Sequence, residues 1–235
     1  RSAGRLSGWK IPRPPPAAAA DRASVFELDP RRRLGHQAAM RIASFNINGI
    51  KARLPRLLEW LEETRPTVAC LQEIKTMDEG FPADAFEKIG YSAIWHGQKS
   101  FNGVAILADG VAPVEKQRGL GIDGPKEGEG EQARYLEAEV NGVRICNLYL
   151  PNGNPHPGPK FDYKLAWMAK LRERTRQIWD EEVPAVVLGD FNVIPEDKDV
   201  WSVRAMADDA LMQPESRDHY ARFLSVVKGF ENSSG

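Results

Sequence analysis

Four segments of this sequence end in groups that can hold a hard cation or a phosphate: Asn46 with Asn48, Glu73, Tyr149 followed by Asn152, and Asp190 with Asn192. Magnesium takes carboxylate, amide and water oxygens in preference to sulfur or imidazole, and it needs only one or two protein carboxylates beside a substrate phosphate. Glu73 and Asp190 could supply them. Each position also has an ordinary use: Asn46 as a turn cap, Glu73 as a solvent-facing strand end, Tyr149 as a packed aromatic, and Asp190 and Asn192 as turn residues bonded to their own backbone. Their joint occurrence, each at the end of an apolar run, is what points to phosphate chemistry.

The elements that must carry these groups are short and apolar. Ala185-Val-Val-Leu188, with Pro184 before it and Gly189 after it, reads as a strand buried on both faces, and its carboxyl end should open where ligands of an α/β sheet bind. Arg41-Ile-Ala-Ser-Phe-Asn-Ile-Asn-Gly49 alternates like a strand, and Thr67-Val-Ala-Cys-Leu-Gln-Glu73 is a second buried strand ending in an acid. Between them Leu54, Leu57, Leu58 and Leu61 recur at helical spacing, with Pro55 placed in the first turn and Pro66 as the stop. A strand, a helix and a strand in about 30 residues is the size of a βαβ unit.

Further along, Ala83–Ile89 suits a short helix, and Tyr91–Trp95 and Gly103–Leu107 suit strands. Residues 119–130 read as a glycine-rich loop. Arg134–Val140 and Val143–Tyr149, joined by Asn141-Gly142, form the clearest hairpin, because Asn-Gly favours a type I′ turn. Pro151–Pro159 reads as a rigid loop and Phe161–Trp179 as a long amphipathic helix with Leu165, Met168, Leu171 and Ile178 near one face. A weak helix is expected around Tyr220–Val227. The sum is about seven strands and three or four helices, mixing a parallel crossover with antiparallel hairpins.

A chain of 235 residues can bury a large core as one α/β domain. Its net charge of −1 gives no overall basic field, so a nucleic-acid partner would have to meet a local patch. Cys70 and Cys146 each sit in an apolar run and read as small core residues of a reducing compartment rather than as a disulfide or zinc site. No stretch approaches the roughly 18 apolar residues of a membrane span. Residues 1–39 are Arg-, Pro- and Ala-rich without apolar periodicity; they are expected to be disordered, with Met40 as the functional start.

Ser44-Phe-Asn-Ile-Asn-Gly-Ile-Lys-Ala-Arg53, Cys70-Leu-Gln-Glu-Ile-Lys75, Tyr149-Leu-Pro-Asn-Gly153 and Leu188-Gly-Asp-Phe-Asn-Val193 resemble, in this order, the motifs of the exonuclease III family of DNA-repair nucleases. His96–Leu107, Gln132–Tyr135 and Lys160–Leu165 are similar to bacterial members, and the likeness runs from Met40 to Arg217. The resemblance implies an α/β fold of the endonuclease/exonuclease/phosphatase superfamily: a four-layer α/β sandwich, two mixed β-sheets flanked by helices, over residues 40–235. It implies a cytoplasmic monomer acting on duplex DNA at abasic sites or 3′ ends, with Mg²⁺, or Mn²⁺ in its place. Asp190 would take a proton from the attacking water, Asn192 would hold that nucleophile or a phosphate oxygen, and Tyr149 and Asn152 would steady the phosphate. Glu73, aided by Asn46 and with Asp190 and Asn192 as further ligands, would place the metal. Lys75, Lys51 and Arg53 would contact DNA phosphates.

The family pattern continues with a Tyr-Thr-Phe-Trp-type segment, an Ile-Asp strand and a Ser-Asp-His motif that this sequence lacks. Asp218-His219 is read as a chance dipeptide on a helix, and His156 as a structural or exposed group. The expectation is a domain incomplete at its C-terminus, without its final strands and with weak or no activity. A superfamily phosphodiesterase acting on another substrate and a non-catalytic DNA-binding remnant are the alternatives.

Overall fold

The computed structural model describes residues 24–28 and 40–232. Two mixed sheets stack face to face. The first has the order β1 (Ser24–Leu28), β2 (Met40–Asn46), β3 (Val68–Gln72), β5 (Val104–Asp109), β4 (Tyr91–His96); the second has the order β6 (Val114–Arg118), β7 (Tyr135–Val140), β8 (Val143–Tyr149), β9 (Ala185–Asp190). Among the described residues, only β2 with β3 and β8 with β9 pair in parallel. Helices α1 (Ile50–Thr64) and α2 (Ala83–Glu87) cover the outer face of the first sheet, and α3 (Pro159–Asp180) and α4 (Pro214–Asn232) that of the second. This is the four-layer arrangement expected.

Burial follows the two-residue period of the strands. Ile42, Val68, Cys70 and Ile106 face Leu136, Ala138, Ile145 and Leu188 between the sheets. The alternate residues Ala69, Leu71 and Leu107 pack under Leu57 and Leu61 of α1, and Cys146 and Leu148 pack under Trp167, Met168 and Leu171 of α3. Strands covered on both faces read as unbroken apolar runs, which is why they stood out in the sequence. Both thiols are free and buried, and burial pushes the Cys146 thiol up to about 12.

Two strands escaped the sequence reading. Val114–Arg118 is mostly exposed and carries no apolar alternation; it pairs with β7 through its backbone, with a shift of register between Glu115 and Gln117. Ser24–Leu28 lies inside the segment expected to be disordered, yet it pairs antiparallel with β2, from Ser24 opposite Ser44 to Leu28 opposite Met40. Pairing satisfies the backbone polar groups on the side of the strand that faces β2. The rest of residues 1–39 lies outside the described residues. Pro55 is also placed differently: α1 begins at Ile50, so the proline falls beyond the first turn. The predicted weak helix around 220–227 is the middle of α4. Asn141 and Gly142 adopt φ of 50° and 77°, as a type I′ turn requires.

A polar clasp joins the two sheets inside the apolar core. Asn147, fully buried on β8, donates from Nδ2 to the carbonyls of Leu71 (2.9 Å) and Ala105 (2.8 Å), and its Oδ1 accepts from Gln72 Nε2 at 2.8 Å. Gln72 donates as well to Ser44 Oγ at 3.1 Å. Asn147→Ala would leave buried carbonyls without donors, and it is expected to lower stability by about 1–3 kcal/mol in urea unfolding; an unchanged midpoint would contradict the clasp.

A second buried network pins α3 to the outer face of the second sheet. The Glu137 carboxylate, 0% exposed, accepts from Arg144 Nη1 (2.6 Å), Arg174 Nε (2.9 Å) and Nη2 (2.8 Å), and Tyr135 Oη (2.9 Å). Burial pushes its carboxyl up, but the bonds from Arg174, Arg144 and Tyr135 outweigh burial and hold it below the ordinary range. A carboxyl lowered in the folded state contributes stability above its unfolded value of about 4.3, and loses that contribution as pH falls toward the folded value. Glu137→Gln is therefore expected to flatten the acid limb of stability below about pH 4.3, seen as a smaller fall in urea midpoint from pH 7 to pH 3 than in the parent. An identical acid limb in the two proteins would contradict this assignment.

Candidate functional site

Three strands from two sheets end at one point. Asn46 closes β2, Glu73 follows β3, and Asp190 closes β9; the Asn46 amide Nδ2 donates to both Glu73 Oε1 (2.9 Å) and Asp190 Oδ2 (2.8 Å). Its Oδ1 accepts from the Asn48 backbone N–H at 3.1 Å, which fixes the amide with its nitrogen toward the carboxylates. Residues far apart in sequence thus share one amide group. Glu73 also meets Lys75 Nζ at 2.8 Å through Oε2, and Lys75 Nζ reaches Asn48 Oδ1 as well.

The backbone holding these groups is strained. Asn48, Glu73, Lys75 and Asn192 all adopt φ between 43° and 53°, a region that costs non-glycine residues energy and that clusters at functional sites. Backbone bonds enforce it: Gly49 N–H to Glu73 O (2.7 Å), Ile50 N–H to Ile74 O (3.0 Å) and Lys75 N–H to Asn102 O (3.0 Å). At β9 the chain comes so close to β8 that a Cβ on Gly189, φ +140°, would sit 2.0 Å from the Leu148 carbonyl oxygen. Glycine there lets Asp190 reach its place.

Electrostatics favour a charged Glu73. Burial pushes its carboxyl up, yet hydrogen bonds from Asn46, Lys75 and Tyr149 together bring it below the usual carboxylate range. Tyr149, at the end of β8, is shifted oppositely: burial and the adjoining Glu73 carboxylate push its phenol well above its ordinary value. It therefore keeps its proton and remains a donor at any working pH. Arg134 lies over the Tyr149 ring at 4.9 Å and donates to the Tyr149 carbonyl at 3.2 Å, which orients the phenol.

Asp190 Oδ1 accepts from the Asn192 backbone N–H at 3.1 Å, and Asn192 Nδ2 donates to the Leu150 carbonyl at 2.8 Å. The turn use of Asp190 is thus real, but only one of its oxygens is spent on it. Asn152 is exposed, and its Oδ1 accepts from the Asn154 N–H at 3.1 Å. Arg53 Nη1 donates to the Asn48 carbonyl at 2.8 Å, beside the site. Lys51 is exposed on the first turn of α1. Asn46, Glu73, Lys75, Tyr149, Asp190 and Asn192 are linked by these bonds, whereas the Asn152 side chain serves its own loop. His156 packs edge-on against Phe161, and His219 stands on α4 near Arg172, Arg222 and Asp218. Sequence reasoning missed Arg134 and Lys164 as site neighbours. Lys164 carried a signal: it falls on the buried stripe of a helix.

The donor set suits a hard divalent ion. It offers two carboxylates and the amide oxygen of Asn192, whereas Asn46, expected as a ligand, turns its nitrogen to the carboxylates and spends its oxygen on the Asn48 N–H; among the described residues no group of three or more His, Cys, Asp or Glu residues gathers to form a softer or all-protein cage. The Lys75 ammonium already stands against Glu73 as a cation would.

Residues 43–230 match the family model described as Endonuclease/Exonuclease/phosphatase family. The exodeoxyribonuclease III of Haemophilus influenzae is 36% identical over 166 residues, covering 68% of this chain and 60% of that protein, so the chain spans less than two thirds of that relative. An AP endonuclease from Archaeoglobus fulgidus superposes with a TM-score of 0.72 at 33% identity, over 80% of this chain and 70% of the other. The 3′ phosphatase NExo from Neisseria, bound to a product DNA hairpin, gives a TM-score of 0.73 at 33% identity, over 80% and 71% of the two chains. Among the described residues no helix is long and apolar enough to cross a membrane.

Proposed function

The chain belongs to the endonuclease/exonuclease/phosphatase family, and from that premise we propose that its site hydrolyses DNA phosphodiester bonds in repair, at abasic sites and 3′ ends. The observation that carries this reading is the single Asn46 amide bridging Glu73 and Asp190, which brings the ends of both sheets onto one reacting centre. The relatives support DNA as the substrate class: one is named an exodeoxyribonuclease III, one an AP endonuclease, and one is held with a product DNA hairpin.

Glu73 would hold Mg²⁺ or Mn²⁺, with Asp190 and the amide oxygen of Asn192 as further ligands. When bound, the ion supplies positive charge that neutralises the phosphate and the leaving oxygen. Asn46 presents its nitrogen to the carboxylates, so its first role is to set their spacing. Asp190 is the acceptor for the proton of an attacking water, because its Oδ2 faces the shared centre. As the new phosphorus–oxygen bond forms, the phosphorus–O3′ bond breaks and the departing 3′ oxygen takes a proton from solvent. Tyr149, kept protonated, would turn its hydroxyl from Glu73 to a phosphate oxygen once an ion takes up that carboxylate, and Asn152 would steady the phosphate. Lys75, Arg53 and Lys51 would meet flanking phosphates.

The test is a panel of an abasic duplex, an inositol phosphate and an RNA duplex, each with Mg²⁺ at equal protein excess. Cleavage of the abasic duplex above the other two supports the reading; hydrolysis of the inositol phosphate with intact DNA would overturn the substrate class.

A further inference from the structure

Lys164 is the charged group that the chemistry above leaves unused. The buried stripe of α3 runs Phe161, Lys164, Met168, Leu171, Thr175, Ile178, and Lys164 is 0% exposed among these apolar neighbours. An ammonium is among the costliest groups to bury unless its donors are taken up. Here Nζ donates to the main-chain carbonyls of Asn152 (3.1 Å) and Asn192 (2.5 Å), one in the loop after β8 and one in the loop after β9. Burial pushes the ammonium down to about 8, opposed by the carboxylates of Asp209 and Asp190.

The surrounding chain is shaped around this side chain. A Cβ on Gly153, φ +93°, would stand 2.7 Å from Lys164 Cδ and 3.1 Å from Ala210 Cβ, so only glycine leaves room for the lysine stem. Asn154 closes the third side, accepting from Ala210 N–H at 2.9 Å and donating to Asp209 Oδ1 at 3.1 Å. A methionine would fill the same volume at no electrostatic cost, so what the ammonium adds is the link between two carbonyls.

We propose that Lys164 is a positioning residue: it ties the loop after β8 to the loop after β9, and so holds Tyr149 and Asp190 in register across the phosphate. The role in register rests on the function proposed above; the tie itself does not. Lys164→Met and Lys164→Gln separate the two. In hydrogen exchange, the amides of Leu150, Asn154, Asn192 and Ile194 are bonded within or between these loops in the parent. The Met variant is expected to expose them about tenfold faster while β2, β3 and β5 keep their protection. Its maximal single-turnover cleavage of an abasic duplex should fall about 100-fold with substrate affinity within about threefold, and the Gln variant should recover part of both effects.

A folded Met variant with the parent's exchange and cleavage rate would overturn the proposal. So would a uniform loss of protection with an unchanged maximal rate, which marks a merely structural lysine. Should the Met variant fail to fold, the Gln variant decides by the same two readings. A parent chain that cuts no DNA would overturn the functional reading, while the exchange comparison would still decide the tie.

Discussion

Asp190→Asn is expected to lower the single-turnover rate of abasic-site cleavage by about 10²–10⁴-fold, the range typical of a lost general base. The substitution is nearly isosteric. It keeps the oxygen that accepts from the Asn192 N–H, so the loop after β9 should hold its form. What it removes is the proton acceptor facing the Asn46 amide. An amide nitrogen there would also meet a donor with a donor. Circular dichroism and urea unfolding should stay close to those of the parent, which places the loss in the chemistry. Parent-like cleavage would refute the role assigned to Asp190.

Glu73→Gln should act on the metal first. The carboxylate receives Asn46, Lys75 and Tyr149, and these bonds outweigh burial to keep it charged. With the charge gone, half-saturating Mg²⁺ is expected to rise about 10–100-fold, comparable to other perturbations of metal sites, and raising Mg²⁺ should restore part of the rate. Asp190→Asn should not be rescued this way to the same degree. The two variants therefore separate holding the ion from accepting the proton. An unchanged Mg²⁺ dependence in Glu73→Gln would contradict the placement of the ion.

The strands that deliver the site were legible from their apolar runs, although only Val68–Gln72 is buried throughout; Ala185–Asp190, expected to be buried on both faces, is a half-buried edge strand with Leu188 alone fully covered. Val68–Gln72 and Ala185–Asp190 read as apolar runs that stop at polar groups, and the polar groups proved to be neighbours. The hairpin was legible through Asn141-Gly142, whose backbone demands are local. β6 was not, since Val114–Arg118 is a mostly exposed edge strand held to β7 by its backbone ladder and a surface ion pair between Lys116 and Glu139. Nor was the purpose of the buried polar residues. Asn147, Gln72 and Lys164 each find partners across a sheet interface or between loops, at separations of 12 to 76 residues. Spacing along the chain marks such a residue as out of place on an apolar face, but only packing identifies its partner.

The Asn46 amide is the point at which sequence and geometry meet. The turn-cap use expected of asparagine is present through the Asn48 N–H, and the same side chain also joins two carboxylates from different sheets. Strained φ at Glu73 and Lys75 is consistent with a site whose conformation is held by its surroundings rather than by local preference.

The most direct test is incision of a duplex carrying one abasic site, with protein in excess, in Mg²⁺ and in EDTA, for the parent and Asp190→Asn side by side. A nuclease site built on Glu73 and Asp190 predicts cutting on the 5′ side of the lesion by the parent in Mg²⁺, none in EDTA, and a rate in the Asp190→Asn lane lowered as argued above. Equal cutting in Mg²⁺ and EDTA, or equal cutting by the two proteins, would contradict it.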